Sequence, residues 1–243
     1  MRQPERLPGG AGAGIGAAVF LERRPDSLTY SVYEAIKRAI VDGRLPADTR
    51  VTEAGLAKQL MVSKTPVREA LLRLKEIGLV EADGPKLGRI VRPSFARLRD
   101  AYEVREALEA VSARAAAERG DRALLVAARR EAQATVAAAE VGDLEGYQRA
   151  DDAFHRLVAE AGGNERLARL IDDINVLVRA LRRRDTPETG ASIDCAHRHL
   201  AIADALLAGS APEALALMAA HIREVRDQVL ASTAGSVGEC TPS

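Results

Sequence analysis

From Ser27 onward, apolar positions recur at helical spacing. Val32, Ile36, Ala39 and Ile40 share one face, and Gly43 followed by Pro46 closes the segment. Thr52 is placed to cap a short second helix running through Leu60, with Leu56 and Leu60 at i and i+4. A link of three or four residues leads into SKTPVREALLRLKEIG, whose Val67, Ala70, Leu71 and Leu74 form a buried face. Beyond Gly78 the pattern changes: LVEAD and RIVR are β-prone runs joined by Gly-Pro-Lys-Leu-Gly, the signature of a small hairpin. Three helices followed by a hairpin make a winged helix-turn-helix, expected over residues 27–93.

Pro93 and Ser94 mark a boundary, after which the pattern is helical throughout and rich in alanine. Six helices are expected, at about 97–119, 121–141, 143–161, 164–184, 188–208 and 211–232. Gly120, Gly142, Gly162 with Gly163, and Gly209 punctuate them as helix ends. Short connections between such helices predict an antiparallel bundle over residues 97–233. The fold class is therefore mainly α. Residues 1–26, rich in Gly, Pro, Arg and Ala without a period, are expected to be a disordered arm, and residues 234–243 a flexible tail.

Composition narrows the class. With 47% apolar and 29% charged residues, the 243-residue chain can bury real cores. No apolar run approaches the roughly 18 residues needed to cross a bilayer, so no membrane partner and a cytoplasmic location are expected. Cys195 and Cys240 are isolated, which suggests two reduced thiols and no disulfide framework. The formal charge of zero conceals an asymmetry: residues 28–92 carry 12 Lys and Arg against 8 Asp and Glu, whereas residues 97–233 carry 19 against 23. The first block suits phosphates and the second does not.

The third helix begins with a proline. Ser63, or Thr65 behind it, is the expected N-cap, and either choice puts Pro66 in the first turn, where its missing N–H costs nothing. Lys64, Thr65, Arg68 and Ser63 then cluster at the exposed N-terminal end, the end that helix-turn-helix proteins insert in the major groove. VSKTPVREAL followed by RLKEIGLVEADGPKLGRIV resembles the DNA-binding domain of GntR-family transcriptional regulators. That resemblance implies that Ser63, Lys64, Thr65 and Arg68 contact double-stranded operator DNA and that the wing approaches the minor groove. Arg50, Gly88 and Arg89 are further candidates for phosphate and wing contacts. Lys64 stands where the family commonly has arginine, and lysine is the poorer partner for bidentate guanine readout. Pro46-Ala47-Asp48 likewise replaces a usual Pro-Gly turn.

All four histidines lie in the helical block. Asp151 and His155 are neighbours at i and i+4, while His199 and His221 fall on apolar stripes that point into the bundle. A buried polar ring needs a partner, and for each histidine alone a hydrogen bond within the core is the simpler one. EVREALEAVSARAAA, DDAFHRLVAEAGGN, HRHLAIADAL and MAAHI resemble the helical FCD effector-binding domain of the FadR subfamily. By that resemblance Asp151, His155, His199 and His221 hold one divalent ion. Zinc is the first choice, and nickel or manganese would also suit the donors. The resemblance further implies a small organic-acid or sugar-acid effector that coordinates the ion, with Arg105 pairing its carboxylate. An ion pair with Glu109 is the structural alternative for Arg105. Cys195, one turn before His199, is a candidate for the pocket wall, and His197 falls on the opposite, surface side.

The expectation is a homodimeric transcriptional regulator, with repression as the commoner sign, controlled by an effector at a metal-containing pocket. Two alternatives remain: a metal-dependent hydrolase, against which stands the lack of a recognisable acid–base pair or HExxH segment, and a helical dimerisation protein with structural histidines.

Overall fold

The computed structural model describes residues 28–85, 87–182 and 192–236. The expected arm, most of the expected tail and the start expected for the fifth bundle helix lie outside the described residues. The N-terminal part consists of α1 (Leu28–Val41), β1 (Arg50–Thr52), α2 (Glu53–Leu60), α3 (Lys64–Glu76), β2 (Val80–Ala82) and β3 (Leu87–Ile90). Its core joins Val32, Ile36 and Ile40 of α1, with Tyr33 in place of the expected Ala39, which is only half-buried, to Val67, Ala70, Leu71 and Leu74 of α3, the face marked by helical periodicity.

The hairpin is one strand larger than expected. β3 is central and pairs antiparallel with both β2 and β1, so Arg50 stands opposite Arg89, and Val51 opposite Gly88. β1 is three residues long and acquires its strand character only from β3, which explains why periodicity does not reveal it. Thr52 ends β1 and caps α2, its hydroxyl accepting from the Gly55 N–H at 2.9 Å, as expected. Ser63 is the residue before α3, but its hydroxyl makes no capping bond; Pro66 lies buried in the first turn.

The second part comprises α4 (Phe95–Arg119), α5 (Arg122–Val141), α6 (Leu144–Ala161), α7 (Glu165–Arg182), α8 (Ile193–Leu207) and α9 (Ala211–Ser236). Six helices are found among the described residues. Their starts depend on polar caps that periodicity does not emphasise: Ser94, Asp121, Asp143 and Ser192 each accept a backbone N–H of the first turn. Gly142 adopts the left-handed conformation expected of a helix end (φ 71°), whereas Gly120 is extended (φ −67°, ψ 151°).

Two elements of packing bear on function. α4, α5, α6, α8 and α9 enclose a common core that includes Phe154, Ile202, Leu206, Met218 and Ile222. α7 belongs to both cores: Val178 and Leu181 are buried in the bundle, while Val176 is buried among the α1 and α3 side chains of the winged helix. The winged helix is thus seated directly on α7.

Candidate metal centre and nucleic-acid interface

His155 of α6, His199 of α8 and His221 of α9 are each almost wholly buried, at 2%, 0% and 1% exposure. Three different helices aim them at one point. His199 Nε2 lies 3.1 Å from His221 Nε2, which lies 3.4 Å from His155 Nε2. Asp151, one turn before His155, brings its Oδ1 to 3.4 Å from His199 Nε2 and 3.9 Å from His155 Nε2. The Asp and three His expected from the sequence therefore converge, and His197 is exposed on the other side of α8.

The outer nitrogens fix the tautomers. Glu109 of α4 accepts from His155 Nδ1 through Oε2 and from Arg105 Nε through Oε1, at 2.6 Å for the latter. Burial opposes the Glu109 charge, yet Arg105 and His155 outweigh it and hold the carboxyl well below its usual range. It is consequently an acceptor, and His155 Nδ1 carries the hydrogen. Thr135 of α5 donates its hydroxyl to the Ala132 carbonyl at 2.7 Å, so its oxygen is left to accept from His199 Nδ1 at 3.4 Å. The Cys195 thiol sits 3.9 Å from His221 Nδ1. The Tyr147 hydroxyl is hydrogen-bonded to that thiol, and burial pushes the thiol's pKa up.

With hydrogens on the outer nitrogens of His155 and His199, their inner nitrogens face the Asp151 carboxylate. Although burial raises the Asp151 pKa, His155, His199, Arg105 and Arg182 together leave it below the ordinary carboxylate value. Near neutrality two of the rings are held neutral: burial lowers the pKa of His199 to about 4 and that of His221 well below 6.5. Three imidazole nitrogens and a carboxylate oxygen are the donor set of a borderline divalent cation, so these residues fit the implied metal.

A cavity of about 670 Å³ opens beside this cluster. Arg105, Asp151, Cys195 and His221 line it, together with Tyr147 of α6 and Arg182 of α7. Arg105 makes the buried ion pair with Glu109 that was its structural alternative, and it also lines the cavity. Sequence spacing missed Glu109 as a histidine partner because the contact crosses from α4 to α6. Thr135 left a faint signal, a single hydroxyl on the buried stripe Leu125, Ala128, Ala132 and Ala138 of α5.

In the winged helix, Ser63, Lys64, Thr65 and Arg68 form an exposed cluster at the start of α3. Arg68 is already oriented: its Nε and Nη2 each donate at 3.0 Å to Glu53, the first residue of α2. Arg50 and Arg89 converge on Asp83 at 2.8 and 2.9 Å, and Asp48 lies 4.0 Å from Arg89. Gly88, the remaining wing candidate, has a packing role. It is buried in β3, where a Cβ would stand 2.6 Å from Val80 Cγ1, so its missing side chain serves sheet packing.

A three-helix head with a β-wing and a solvent-facing N-terminal turn on its third helix, joined to an all-helical domain, defines the class of winged-helix DNA-binding regulators. The chain belongs to the GntR family: residues 28–85 match the family model described as bacterial regulatory proteins, gntR family, and residues 100–224 match the FCD domain. It is 34% identical to the probable D-xylose utilization operon transcriptional repressor of Paenarthrobacter nicotinovorans, over 73% of this chain and 78% of that one. An HTH-type transcriptional regulator in the TAR-I ttuE-ttuC' intergenic region of Agrobacterium vitis is 42% identical over 51% of this chain and 75% of that protein. The fold matches that of Escherichia coli McbR/YncC, with TM-score 0.67 and 21% identity over 84% of this chain and 97% of that one. Such relatives are transcriptional regulators, which sets the hydrolase alternative aside. No described helix is long and apolar enough to cross a membrane.

Proposed function

We propose that the protein represses transcription as a homodimer on a palindromic operator, and that a small carboxylate or sugar acid bound beside a divalent ion controls its grip on DNA. The observation that carries this reading is the inward convergence of three histidine nitrogens and the Asp151 carboxylate next to a cavity lined by Arg105. Asp151, His155, His199 and His221 would hold the ion, zinc first by donor set, which would supply Lewis acidity for an anionic ligand. Arg105 presents a fixed positive charge to the same cavity because Glu109 locks its guanidinium. Glu109, Thr135 and Cys195 orient the rings from behind.

On DNA, Ser63, Lys64, Thr65 and Arg68 face the major groove, and Arg50 and Arg89 face the backbone or minor groove beside the wing. Two-fold symmetry then requires half-sites spaced for two recognition helices. The repressor sign is supported by the names of relatives, among them the repressor RspR of Escherichia coli, 24% identical over 82% of this chain and 87% of that protein. A gel shift on the DNA upstream of its own gene tests the head: Arg68→Ala is expected to abolish the shift, and unchanged binding would remove α3 as the reader. Elemental analysis tests the centre: one divalent ion per chain is expected, and full metal content in a His155→Ala, His199→Ala variant would remove the proposed ligands.

A further inference from the structure

The cavity beside the histidines is not confined to the helical domain. Its far wall is α1 of the DNA-reading head, which contributes Glu34, Lys37, Arg38, Val41 and Asp42. At the inner end stand Arg105, Asp151 and His221, with Arg182 of α7 close enough to Asp151 to help hold its carboxyl ionised; Lys37 and Arg38 of α1, with Arg179 of α7, line the outer end. Val41, Leu144, Val176, Val225 and Val229 complete the lining, a surface suited to an aliphatic chain.

The outer cations are only partly engaged. Glu34 holds the Lys37 ammonium at 2.6 Å, which leaves two of its three donors, and Asp152 holds Arg179. Among the described residues Arg38 makes no ion pair. Lys37 Nζ also lies 5.1 Å from the Tyr33 ring centroid, while Arg73 of α3 covers the same ring at 4.2 Å. α1 is bound to the recognition helix in two further ways: through the shared core, and by Thr29 Oγ1 donating to Glu69 at 2.8 Å. A ligand atom held at Lys37 therefore acts on the helix that carries the DNA reader.

We infer that the cavity is a two-ended seat for an aliphatic α,ω-dicarboxylate, whose inner carboxylate meets Arg105 and the histidine cluster and whose outer carboxylate meets Lys37 and Arg38 on the DNA-binding head. This inference rests on the carboxylate reading of the pocket and adds a second anchor in the other domain. The ligand then couples to DNA by touching α1 itself, and its affinity differs between head positions because the outer anchor moves with the head.

The test uses the full zinc-loaded chain. Calorimetric titration compares dicarboxylates of four, six and eight carbons with the monocarboxylates of equal length, for the wild type and for Lys37→Met, Arg38→Met. One dicarboxylate is expected to bind at least about tenfold tighter than its monocarboxylate in the wild type, the gain of a charge-assisted contact. In the variant that preference is expected to vanish, with monocarboxylate affinity, zinc content and ligand-free operator binding unchanged. A preference that survives in the variant, or no preference in the wild type while monocarboxylates bind, overturns the outer anchor and leaves the carboxylate pocket standing. Failure of every carboxylate to bind the zinc-loaded wild type overturns the pocket reading, and the two-ended seat with it.

Discussion

Each histidine in the cluster has an outer nitrogen whose partner decides what the inner one offers. Thr135 is the most economical of these partners, because its single hydrogen is committed to the Ala132 carbonyl and only its oxygen remains for His199. Thr135→Val keeps the shape and deletes the acceptor. Zinc affinity is expected to fall by about tenfold or more with the fold intact, and Thr135→Ser is expected to restore it; competition titration against a chelator reads both. Protonation gives a second expectation. His199 titrates at about 4 in the fold against an ordinary 6.5, so between those values the unfolded chain binds the proton and the folded chain does not. The stabilisation is complete above about 6.5 and is lost as pH falls to about 4. For chelator-stripped protein this predicts a loss on the order of 2–3 kcal/mol, seen as a falling Tm across that window. The convergence of these four residues was legible because Asp151 and His155 share a helical face, His199 and His221 lie on apolar stripes, and the family resemblance groups them. Their supports were not, since Glu109 and Thr135 gain meaning only when α4, α5, α6 and α8 are packed.

At the scale of elements, the α3 turn was readable from its local chemistry. Proline tolerance, hydroxyls and cations all belong to one helix start, and no distant contact is needed to see them. β1 was not readable, because Arg50, Val51 and Thr52 form a strand only by pairing with Leu87, Gly88 and Arg89. That pairing also explains why position 88 is a glycine. Gly88→Ala forces a methyl against Val80 and Val51, and should destabilise the head by about 1–3 kcal/mol in thermal denaturation. Operator affinity measured on the folded fraction should be nearly unchanged; a selective loss of affinity without loss of stability would return Gly88 to the DNA surface. Lys64→Arg tests the reading turn from the other side. An arginine there supplies a bidentate fork, so discrimination against a mutated operator guanine should rise, by about 1 kcal/mol or more in competition gel shifts.

For the whole molecule, α7 is the element that makes one device of two cores. Val176 is buried with α1 and α3, while Val178 and Leu181 are buried in the bundle. Val176→Ala should cost about 2 kcal/mol and loosen the head from its seat, seen as faster hydrogen exchange in α1 and α3 with α8 and α9 unchanged. Sequence periodicity separated a winged helix from a helical bundle, yet it gave no sign that one bundle helix buries a valine in the head. A single apolar position in ERLARLIDDINVLVRALR does not announce which core receives it. The central claim, that a DNA-binding regulator is built around a divalent ion held by Asp151, His155, His199 and His221, meets its most direct test in a zinc titration of chelator-stripped protein. One ion per chain in the wild type, and none in His199→Ala, is the expected result. Equal zinc binding by the wild type and a His155→Ala, His199→Ala variant, or none by either, would contradict it.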